Sequence, residues 1–364
     1  MEIRNDLDGM RLALQWAEKG LYTTSPNPHI GCVIVRDGIV IGAGVTQPAG
    51  QDHAEIQALK DAERRGIDVR GATAYVTLEP CSHYGRTPPC CDALVRAGLG
   101  RVVAAMEDPN PLVAGKGLAR LAQAGIEVSS GLLAAEAYEL NIGFFSRMTR
   151  QLPWVRLKTA ASLDGMTALH NGRSQWITGE QARADGHAWR ARACAILTGI
   201  GTVKADDPQL NVRAVETPRQ PRRIVVDSRL DIDPNARVLQ GGGTWIVAAV
   251  RDHDKEARLR DTGAEILTLP NAQGKVDLPE LMRELGRRQV NELHVEAGTK
   301  LNGSLVRERC VDELLVYLAP MLLGDAQGMF ALPALTELAG RHALKFHQVG
   351  MLGDDLRILA RFHH

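Results

Sequence analysis

Segments with the spacing of β-strands alternate with segments of helical spacing along almost all of this 364-residue chain. In the first half, strands are predicted at 31–35, 39–44, 72–78, 101–105 and 127–129, and helices at 6–20, 52–65, 90–97 and 115–125. In the second half, strands are predicted at 154–160, 194–199, 223–227, 244–249, 292–296 and 312–319, and helices at 179–191, 277–288 and 301–308. Such alternation is typical of the α/β class, in which helices cover the faces of a sheet.

The pattern of elements restarts at residues 147–152, between two long α/β stretches. A length of 364 residues also favours two domains, at roughly 150 residues per domain. We therefore predict one domain over 1–147 and a second over 152–364. Each is long enough to bury a core of its own.

The charges of the chain balance, with 43 Lys and Arg against 43 Asp and Glu. Such a chain lacks the basic field typical of proteins that bind nucleic acids or anionic membranes. The first twenty residues mix charges among apolar positions, unlike a signal peptide, and no apolar run approaches the ~20 residues that span a bilayer. We expect a soluble cytoplasmic protein with no membrane or nucleic-acid partner.

Three of the six cysteines, Cys81, Cys90 and Cys91, lie close together in the sequence. Six cysteines are too few for a disulfide scaffold in a chain of this length, and a cytosolic cluster points to metal binding or catalysis. The scattered Cys32, Cys194 and Cys310 are interpreted as small buried apolar residues.

A histidine precedes this cluster in a pattern that suits a catalytic zinc ion. His53 opens a predicted helix, Cys81 ends a predicted strand, and Cys90 opens another helix. One imidazole and two thiolates give zinc three protein ligands, with a fourth position left for a water whose pKa the ion lowers. Glu55, two residues after His53, is placed to move the protons of that water. Together these residues form the signature of zinc-dependent base deaminases.

Two features of the signature leave alternatives open. The usual spacing has two residues between the cysteines, whereas eight separate Cys81 from Cys90, so Cys91 is a rival ligand. A purely structural zinc site needs a fourth protein ligand, for which His83 is the nearby candidate.

The second half contains features that suit phosphate groups but are ambiguous alone. A glycine-containing run, 297–303, joins a strand to a helix, where backbone N–H groups can face a phosphate or simply form a crossover turn. Arg190 and Arg213 suit phosphate oxygens, yet a surface arginine is normally just solvated. Trp176 suits a core or a cofactor wall, and Asp206 belongs to a possible turn before Pro208. The full Gly-x-Gly-x-x-Gly fingerprint is absent.

The chain resembles the bifunctional deaminase/reductase family of riboflavin biosynthesis over nearly its whole length. In the first half the resemblance rests on TTSPNPHIGCVIV (23–35), HAE (53–55), YVTLEPCSHYGRTPPCCDAL (75–94) and EDPNPLVAGKG (107–117). In the second half it rests on KTAASLDGMTA (158–168), SQWITG (174–179), ILTGIGTVKADDPQLNVR (196–213), IVVDS (224–228) and VEAGTKLNGSL (295–305).

The resemblance implies an N-terminal cytidine-deaminase-like domain of three α/β/α layers and a C-terminal dihydrofolate-reductase-like α/β domain. It implies one zinc ion per chain on His53, Cys81 and Cys90, with Glu55 as the proton shuttle, and so selects Cys90 over Cys91. It implies NADPH contacts at Ala160, Trp176, Thr202, Asp206, Ser228, Gly298, Thr299, Lys300, Leu301, Asn302, Gly303 and Ser304. It implies substrate contacts at Asn27, Ser174, Arg190, Leu210, Arg213 and Glu296, with Arg190 and Arg213 on the ribose phosphate.

By the same resemblance, the enzyme deaminates 2,5-diamino-6-ribosylamino-4(3H)-pyrimidinone 5′-phosphate. It then reduces 5-amino-6-(5-phosphoribosylamino)uracil to the ribityl product with NADPH, so its partners are small phosphorylated pyrimidines, and we expect a homo-oligomer. One alternative is a nucleic-acid base deaminase, which needs a basic, aromatic-lined channel; zero net charge and 4% aromatic residues argue against it. Another is a zinc-stapled binding protein without activity, which would not bind NADPH.

Overall fold

A computed structural model describes residues 2–84, 88–110 and 113–363 of the chain. The chain separates into two compact units, Met1–Gln151 and Leu152–His364, and each is described by itself. Among the described residues, the structure contains no helix that is long and apolar enough to cross a membrane.

The first unit is built on a five-stranded sheet with the strand order β2-β1-β3-β4-β5. Its strands are β1 (Gly31–Arg36), β2 (Ile39–Val45), β3 (Thr73–Val76), β4 (Arg101–Ala104) and β5 (Glu127–Ser130). Its helices are α1 (Asp6–Glu18), α2 (Ala54–Arg64), α3 (Cys90–Ala97), α4 (Lys116–Gln123), α5 (Ala134–Leu140) and α6 (Ile142–Arg150). β1 pairs antiparallel with β2 and β3, while β3, β4 and β5 run parallel.

Side chains of β1 enter cores on both faces of this sheet, as expected of a strand covered on two sides. Cys32 and Ile34 pack with residues of α2, α3, α4 and α6, whereas Val33 and Val35 pack with residues of α1 and α5. The first unit therefore has three layers, α/β/α, as the resemblance implied.

The close approach of α2 to β2 depends on Gly44. A Cβ atom at this position would lie 2.5 Å from the carbonyl oxygen of Ala54 and from the amide nitrogen of Ala58. Only glycine therefore lets the first turn of α2 lie against the strand. This turn carries His53 and Glu55.

The second unit is built on a nine-stranded sheet with the order β11-β10-β9-β8-β12-β6-β13-β16-β15. Its strands are β6 (Trp154–Ser162), β7 (Met166–Ala168), β8 (Ala195–Gly199), β9 (Arg222–Val226), β10 (Trp245–Ala248), β11 (Glu265–Thr268), β12 (Glu292–Val295), β13 (Glu313–Ala319), β14 (Gln327–Gly328), β15 (Leu344–Leu352) and β16 (Asp355–Phe362). Its helices are α7 (Glu180–Arg192), α8 (Ile200–Asp206), α9 (His253–Asp261), α10 (Leu278–Arg287) and α11 (Thr299–Arg307).

Neighbouring strands run parallel from β11 to β13, whereas β16 is antiparallel to both of its neighbours, β13 and β15. Helices α10 and α11 cover one face, and α8 and α9 pack on the opposite face. Because the carboxyl ends of parallel strands meet at one edge, the loops after β6, β8, β9 and β12 lie at the same edge of the sheet. Binding sites of open α/β sheets form at this edge.

Candidate active sites

Three elements bring the predicted metal ligands together in the first unit. His53 is the residue before α2, Cys81 follows β3, and Cys90 is the first residue of α3. The His53 imidazole does not cap its own helix, so both ring nitrogens are available for other contacts.

The ligand atoms of this group lie within 4.8 Å of one another. His53 Nδ1 is 3.6 Å from Cys81 Sγ and 3.3 Å from Cys90 Sγ, and the Cys90 backbone N–H donates to Cys81 Sγ at 3.3 Å. Within the described ranges, this is the one group of three or more His, Cys, Asp or Glu side chains with such spacing. The donor set and its convergence fit a zinc ion with three protein ligands.

The contact between the two thiols moves their pKa values in opposite directions. Hydrogen bonds from the Cys90 thiol and with His53 lower the pKa of Cys81 to about 4. The same thiol contact raises the pKa of Cys90 far above its ordinary value. Two thiolates and the Glu55 carboxylate would repel one another here, and a divalent cation offsets that repulsion.

Glu55 lies beside this group in the first turn of α2, with only 2% of its surface exposed. Burial, and next the negative charge on Cys81, raise the pKa of Glu55 to about 7. Its Oε2 atom is buried and has no hydrogen-bond partner among the described residues. A buried carboxyl group with a free oxygen and a pKa near neutrality suits proton transfer at pH 7.

Cys91 faces away from this group, although it is next to Cys90 in sequence. Its fully buried thiol donates to the carbonyl oxygens of Pro80 at 3.2 Å and Gly117 at 3.5 Å. Burial raises the pKa of Cys91 to about 12. His83 is exposed and is not part of the group. The geometry therefore favours Cys90 over Cys91, while Gly85, Arg86 and Thr87 of the intervening segment lie outside the described residues.

Asn27 lies in the half-buried loop between α1 and β1, after a cis Ser25–Pro26 bond. Its N–H donates to the carbonyl oxygen of Thr24 at 3.0 Å, and no hydrogen bond described here joins it to the metal group. The end of the loop is held by Asn141, whose Oδ1 accepts from the His29 N–H at 2.6 Å and whose Nδ2 donates to the His29 carbonyl at 2.9 Å. Sequence reasoning missed Asn141, which no motif marks.

In the second unit, the structure pairs two of the predicted substrate residues. Arg190 Nε donates to Glu296 Oε1 at 2.5 Å, and Arg190 Nη2 donates to Glu296 Oε2 at 2.8 Å. Asn211 links this pair to Arg213: its carbonyl accepts from Arg190 Nη1 at 3.0 Å, and its Oδ1 accepts from Arg213 Nη1 at 3.1 Å. Arg190 is thus held in a two-pronged ion pair, while Arg213 is exposed.

Two residues that sequence reasoning missed, Lys158 and His187, belong to the same group. Burial lowers the pKa of Lys158, and burial together with the charges of Arg190 and Arg213 lowers the pKa of His187 to about 4. Although burial opposes it, Arg190 holds the pKa of Glu296 well below its usual range. Arg190, Arg213 and Lys158 are thus three basic side chains near His187, against the one carboxylate of Glu296, an imbalance that suits an anionic ligand.

The predicted cofactor run 298–304 begins one residue before α11. Gly298 is the N-cap and no side chain caps the helix, so its first N–H groups are open to an anion. A Cβ atom at Gly298 would lie 3.7 Å from Thr202 Oγ1, which places another predicted cofactor residue beside this turn. Asn302, in contrast, is buried, and its Nδ2 donates to the Met329 carbonyl at 3.2 Å.

The other predicted residues lie at the same edge of the sheet or in its loops. Ala160 is in β6, and Ser228 follows β9 and accepts from the Val276 N–H at 3.3 Å. Asp206 is the exposed last residue of α8, and Leu210 is buried. Trp176 is 66% exposed, with the Arg183 guanidinium 4.6 Å from its ring centre; no hydrogen bond described here joins Trp176 or Ser174 to the arginine group.

Two protein-family models match the chain. The cytidine and deoxycytidylate deaminase zinc-binding region matches residues 3–106, and the RibD C-terminal domain matches residues 153–358. The predicted fold class, an α/β deaminase domain followed by an α/β reductase domain, is confirmed.

Full-length relatives match as well. The riboflavin biosynthesis protein RibD of Escherichia coli K12 is 50% identical, covering 95% of this chain and 96% of that protein. The structure of Acinetobacter baumannii RibD has a TM-score of 0.88 at 41% identity, covering 98% of this chain and 99% of that one. A Thermotoga maritima structure, described as a diaminohydroxyphosphoribosylaminopyrimidine deaminase/5-amino-6-(5-phosphoribosylamino)uracil reductase, has a TM-score of 0.89 at 31% identity, with 98% and 99% coverage. This chain therefore belongs to the RibD family of bifunctional deaminase/reductases of riboflavin biosynthesis.

Proposed function

We propose that the chain performs two successive reactions in two domains, 1–147 and 152–364. The first hydrolytically deaminates 2,5-diamino-6-ribosylamino-4(3H)-pyrimidinone 5′-phosphate, and the second reduces 5-amino-6-(5-phosphoribosylamino)uracil to the ribityl product with NADPH. The observation that carries the first reaction is the convergence of one imidazole and two thiols beside a buried carboxyl group that has a free oxygen. The sequence relatives favour the same pair of activities.

In the deaminase domain, His53, Cys81 and Cys90 would hold a zinc ion. When bound, zinc supplies an acidified water for attack on the pyrimidine carbon that carries the amino group. Glu55 takes the proton released by the attacking water and delivers it to the leaving amine. Its pKa of about 7 lets the carboxyl group exist in both protonation states at neutral pH. Asn27 would contact the pyrimidine.

In the reductase domain, NADPH would lie along the start of α11 and the neighbouring loops. Gly298–Leu301 offer backbone N–H groups to its phosphates, and the remaining proposed cofactor contacts are Ala160, Trp176, Thr202, Asp206, Ser228, Asn302, Gly303 and Ser304. The cofactor supplies the hydride, while the protein supplies orientation and charge. Ser174, Leu210 and Glu296 would contact the substrate.

The ribose phosphate would lie against the cationic group of the second unit. Arg213 is exposed, and the described contacts of its guanidinium are one hydrogen bond from Nη1 to Asn211 Oδ1, so the guanidinium is available to a phosphate. Arg190 contributes its charge to the same region but is oriented by Glu296. Lys158 adds a third basic side chain near this region, although its burial lowers its pKa.

The two-step route is tested with purified protein and the diaminopyrimidine phosphate. Without NADPH, we expect release of ammonia and accumulation of the uracil intermediate. With NADPH, we expect cofactor oxidation that follows deamination, since reduction uses the deaminated product. Cofactor oxidation with no release of ammonia would contradict this order.

Changing Arg213 to Ala is expected to weaken binding of the phosphorylated uracil substrate by roughly tenfold or more. The reason is the loss of a charge-assisted contact worth on the order of 1.5–3 kcal/mol. The reductase KM should rise while the melting temperature stays near that of the wild type, because Arg213 is exposed. Arg258→Ala, which removes an exposed arginine of α9, is the control. An unchanged KM and kcat in the Arg213 variant would place this arginine on the solvated surface.

We also propose that the protein is a homo-oligomer that associates through β15. This strand forms one end of the nine-stranded sheet, and Phe346 and Met351 on it are 69% and 62% exposed. An apolar strand at an open sheet edge is a surface that soluble proteins normally cover. A second copy of the chain covers it without a further partner. Phe346→Asp should therefore lower the mass measured by sedimentation, and an unchanged mass would exclude this surface.

A further inference from the structure

Glu79 is a buried carboxylate in the segment after β3, two residues before Cys81, that the proposed reaction does not use. It is 5% exposed. Its Oε1 accepts from the backbone N–H groups of Gly117 at 2.6 Å and Leu118 at 3.3 Å. Its Oε2 accepts from those of Asp108 at 3.0 Å and Gly115 at 2.9 Å. One side chain thus binds three N–H groups of the EDPNPLVAGKG motif (107–117) and that of the next residue, Leu118. Pro111 and Leu112 of the motif lie outside the described residues.

The four bonds match the chemistry of an ionised carboxylate. Its two oxygens offer about four acceptor sites and no donor. Two of the N–H groups belong to the first turn of α4, which has no side-chain cap from its own N-cap residue, Gly115. Glu79 therefore caps α4 from a distant part of the chain, where the helix dipole also favours a negative charge.

Further contacts join the same two segments directly behind the metal group. A Cβ atom at Gly117 would lie 2.0 Å from the Pro80 carbonyl oxygen, so only glycine permits this approach. The Cys91 thiol donates to both Pro80 and Gly117. Arg120 of α4 donates to the Ser82 carbonyl at 3.1 Å. Residues on both sides of Cys81 are thereby fixed to α4.

The position of Cys81 in turn determines contacts within the metal group. The Cys90 N–H donates to Cys81 Sγ at 3.3 Å, and the Cys91 N–H donates to the Cys81 carbonyl at 3.2 Å. A shift of the segment that contains Cys81 would therefore move a ligand sulfur and the start of α3 relative to each other.

We propose that Glu79 is a positioning residue of the deaminase: by binding the backbone of α4 and of the loop before it, Glu79 fixes Cys81 in the geometry that zinc requires. This inference rests on the proposed function, in which Cys81 is a zinc ligand. Glu79 itself neither binds the metal nor exchanges protons with the substrate. Its role is to hold the segment that contains Cys81 in place, in the way that residues behind metal ligands orient those ligands.

The test compares Glu79→Gln with the wild type and with Glu107→Gln, an exposed acid of the same motif. Glutamine has nearly the same size and keeps one accepting oxygen, but its NH2 group cannot accept from the two N–H groups that the other carboxylate oxygen binds. We expect zinc affinity, measured by competition with a chelator, to fall by about tenfold in Glu79→Gln and to stay unchanged in Glu107→Gln. The rise in melting temperature on adding zinc should shrink in the same variant, and the thiolate-to-cobalt absorption of the cobalt-loaded protein should change.

A purely structural role gives a different result. It would lower the melting temperature of the metal-free and the zinc-loaded protein equally, and it would leave zinc affinity and the cobalt spectrum unchanged. That outcome overturns the inference about Glu79 and leaves the proposed function intact. A wild-type protein that binds no zinc would overturn the proposed function first. If Glu79→Gln does not fold, the test uses Glu79→Asp, which keeps the charge but is one methylene shorter. Unchanged zinc affinity in Glu79→Asp also overturns the inference.

Discussion

Replacing Glu55 with Gln is expected to lower the deamination rate by about 10²–10⁴-fold while zinc remains bound and the reductase stays active. The substitution keeps the size of the side chain and removes its titratable group. Because Glu55 is buried and its Oε2 makes no hydrogen bond within the described part of the chain, the change breaks few contacts of the folded state. The loss should therefore fall on kcat, measured as ammonia release, with elemental analysis still giving one zinc per chain.

The second substrate provides the control for this variant. Supplied with the already deaminated uracil intermediate, Glu55→Gln should oxidise NADPH at close to the wild-type rate. Glu55 and the arginine group lie in separate units of the chain, and no proposed role is shared between them. A variant that is folded and zinc-loaded but inactive on both substrates would show that the two reactions share a site, contrary to the two-domain proposal.

The alternation of strands and helices was readable from the sequence because most strands are buried on both faces. β1, β8, β9 and β10 are short apolar runs with turn residues at their ends, and their predicted positions are confirmed within a few residues. The helix predicted at 90–97 has the same bounds in the structure. The hydrophobic spacing of each of these segments is enough to predict it, without information on the elements that pack against it.

Elements without such a pattern were not predicted. Helices α5 and α6 meet at Asn141, which interrupts the helical spacing over 134–150. α9 is strongly polar, and few of its side chains are buried. β15 is exposed along most of its length, so its sequence shows no alternation between buried and solvated positions. For α9 and β15 the physical reason is slight burial, because a hydrophobic pattern in the sequence arises from buried positions.

The residues of the candidate sites also fall into two groups, those predictable from the sequence and those that are not. His53, Cys81 and Cys90 are chemically distinctive and lie in short motifs, so they could be proposed before any coordinates. The roles of Glu79 and Lys158 depend on contacts between distant parts of the chain. Glu79 binds Gly117, and the pKa of Lys158 is set by burial and then by the charges of Glu296 and Arg190. Arg190 and Glu296 were expected to bind substrate, but their ion pair spans 106 residues and required the fold.

Removing the sulfur of either proposed cysteine ligand is expected to abolish zinc binding, a loss as large as the loss of deamination rate in Glu55→Gln. Cys90→Ser and Cys81→Ser should each lose zinc and deaminase activity, because a hydroxyl is a far poorer zinc ligand than a thiolate. Reductase activity on the uracil intermediate should remain. The measurement is zinc content after dialysis against a weak chelator, read beside both activities.

Cys91→Ser is the matched control, because it makes the same chemical change one residue further along α3. The Cys91 thiol donates to two carbonyl oxygens and takes no part in the metal group, and a serine hydroxyl can donate to the same oxygens. This variant should keep its zinc and its deaminase activity, at most with reduced stability from burying a more polar group. Zinc loss in Cys91→Ser with retention in Cys90→Ser would reverse the ligand assignment. It would also require α3 to turn so that the thiol now hydrogen-bonded to Pro80 and Gly117 points to His53.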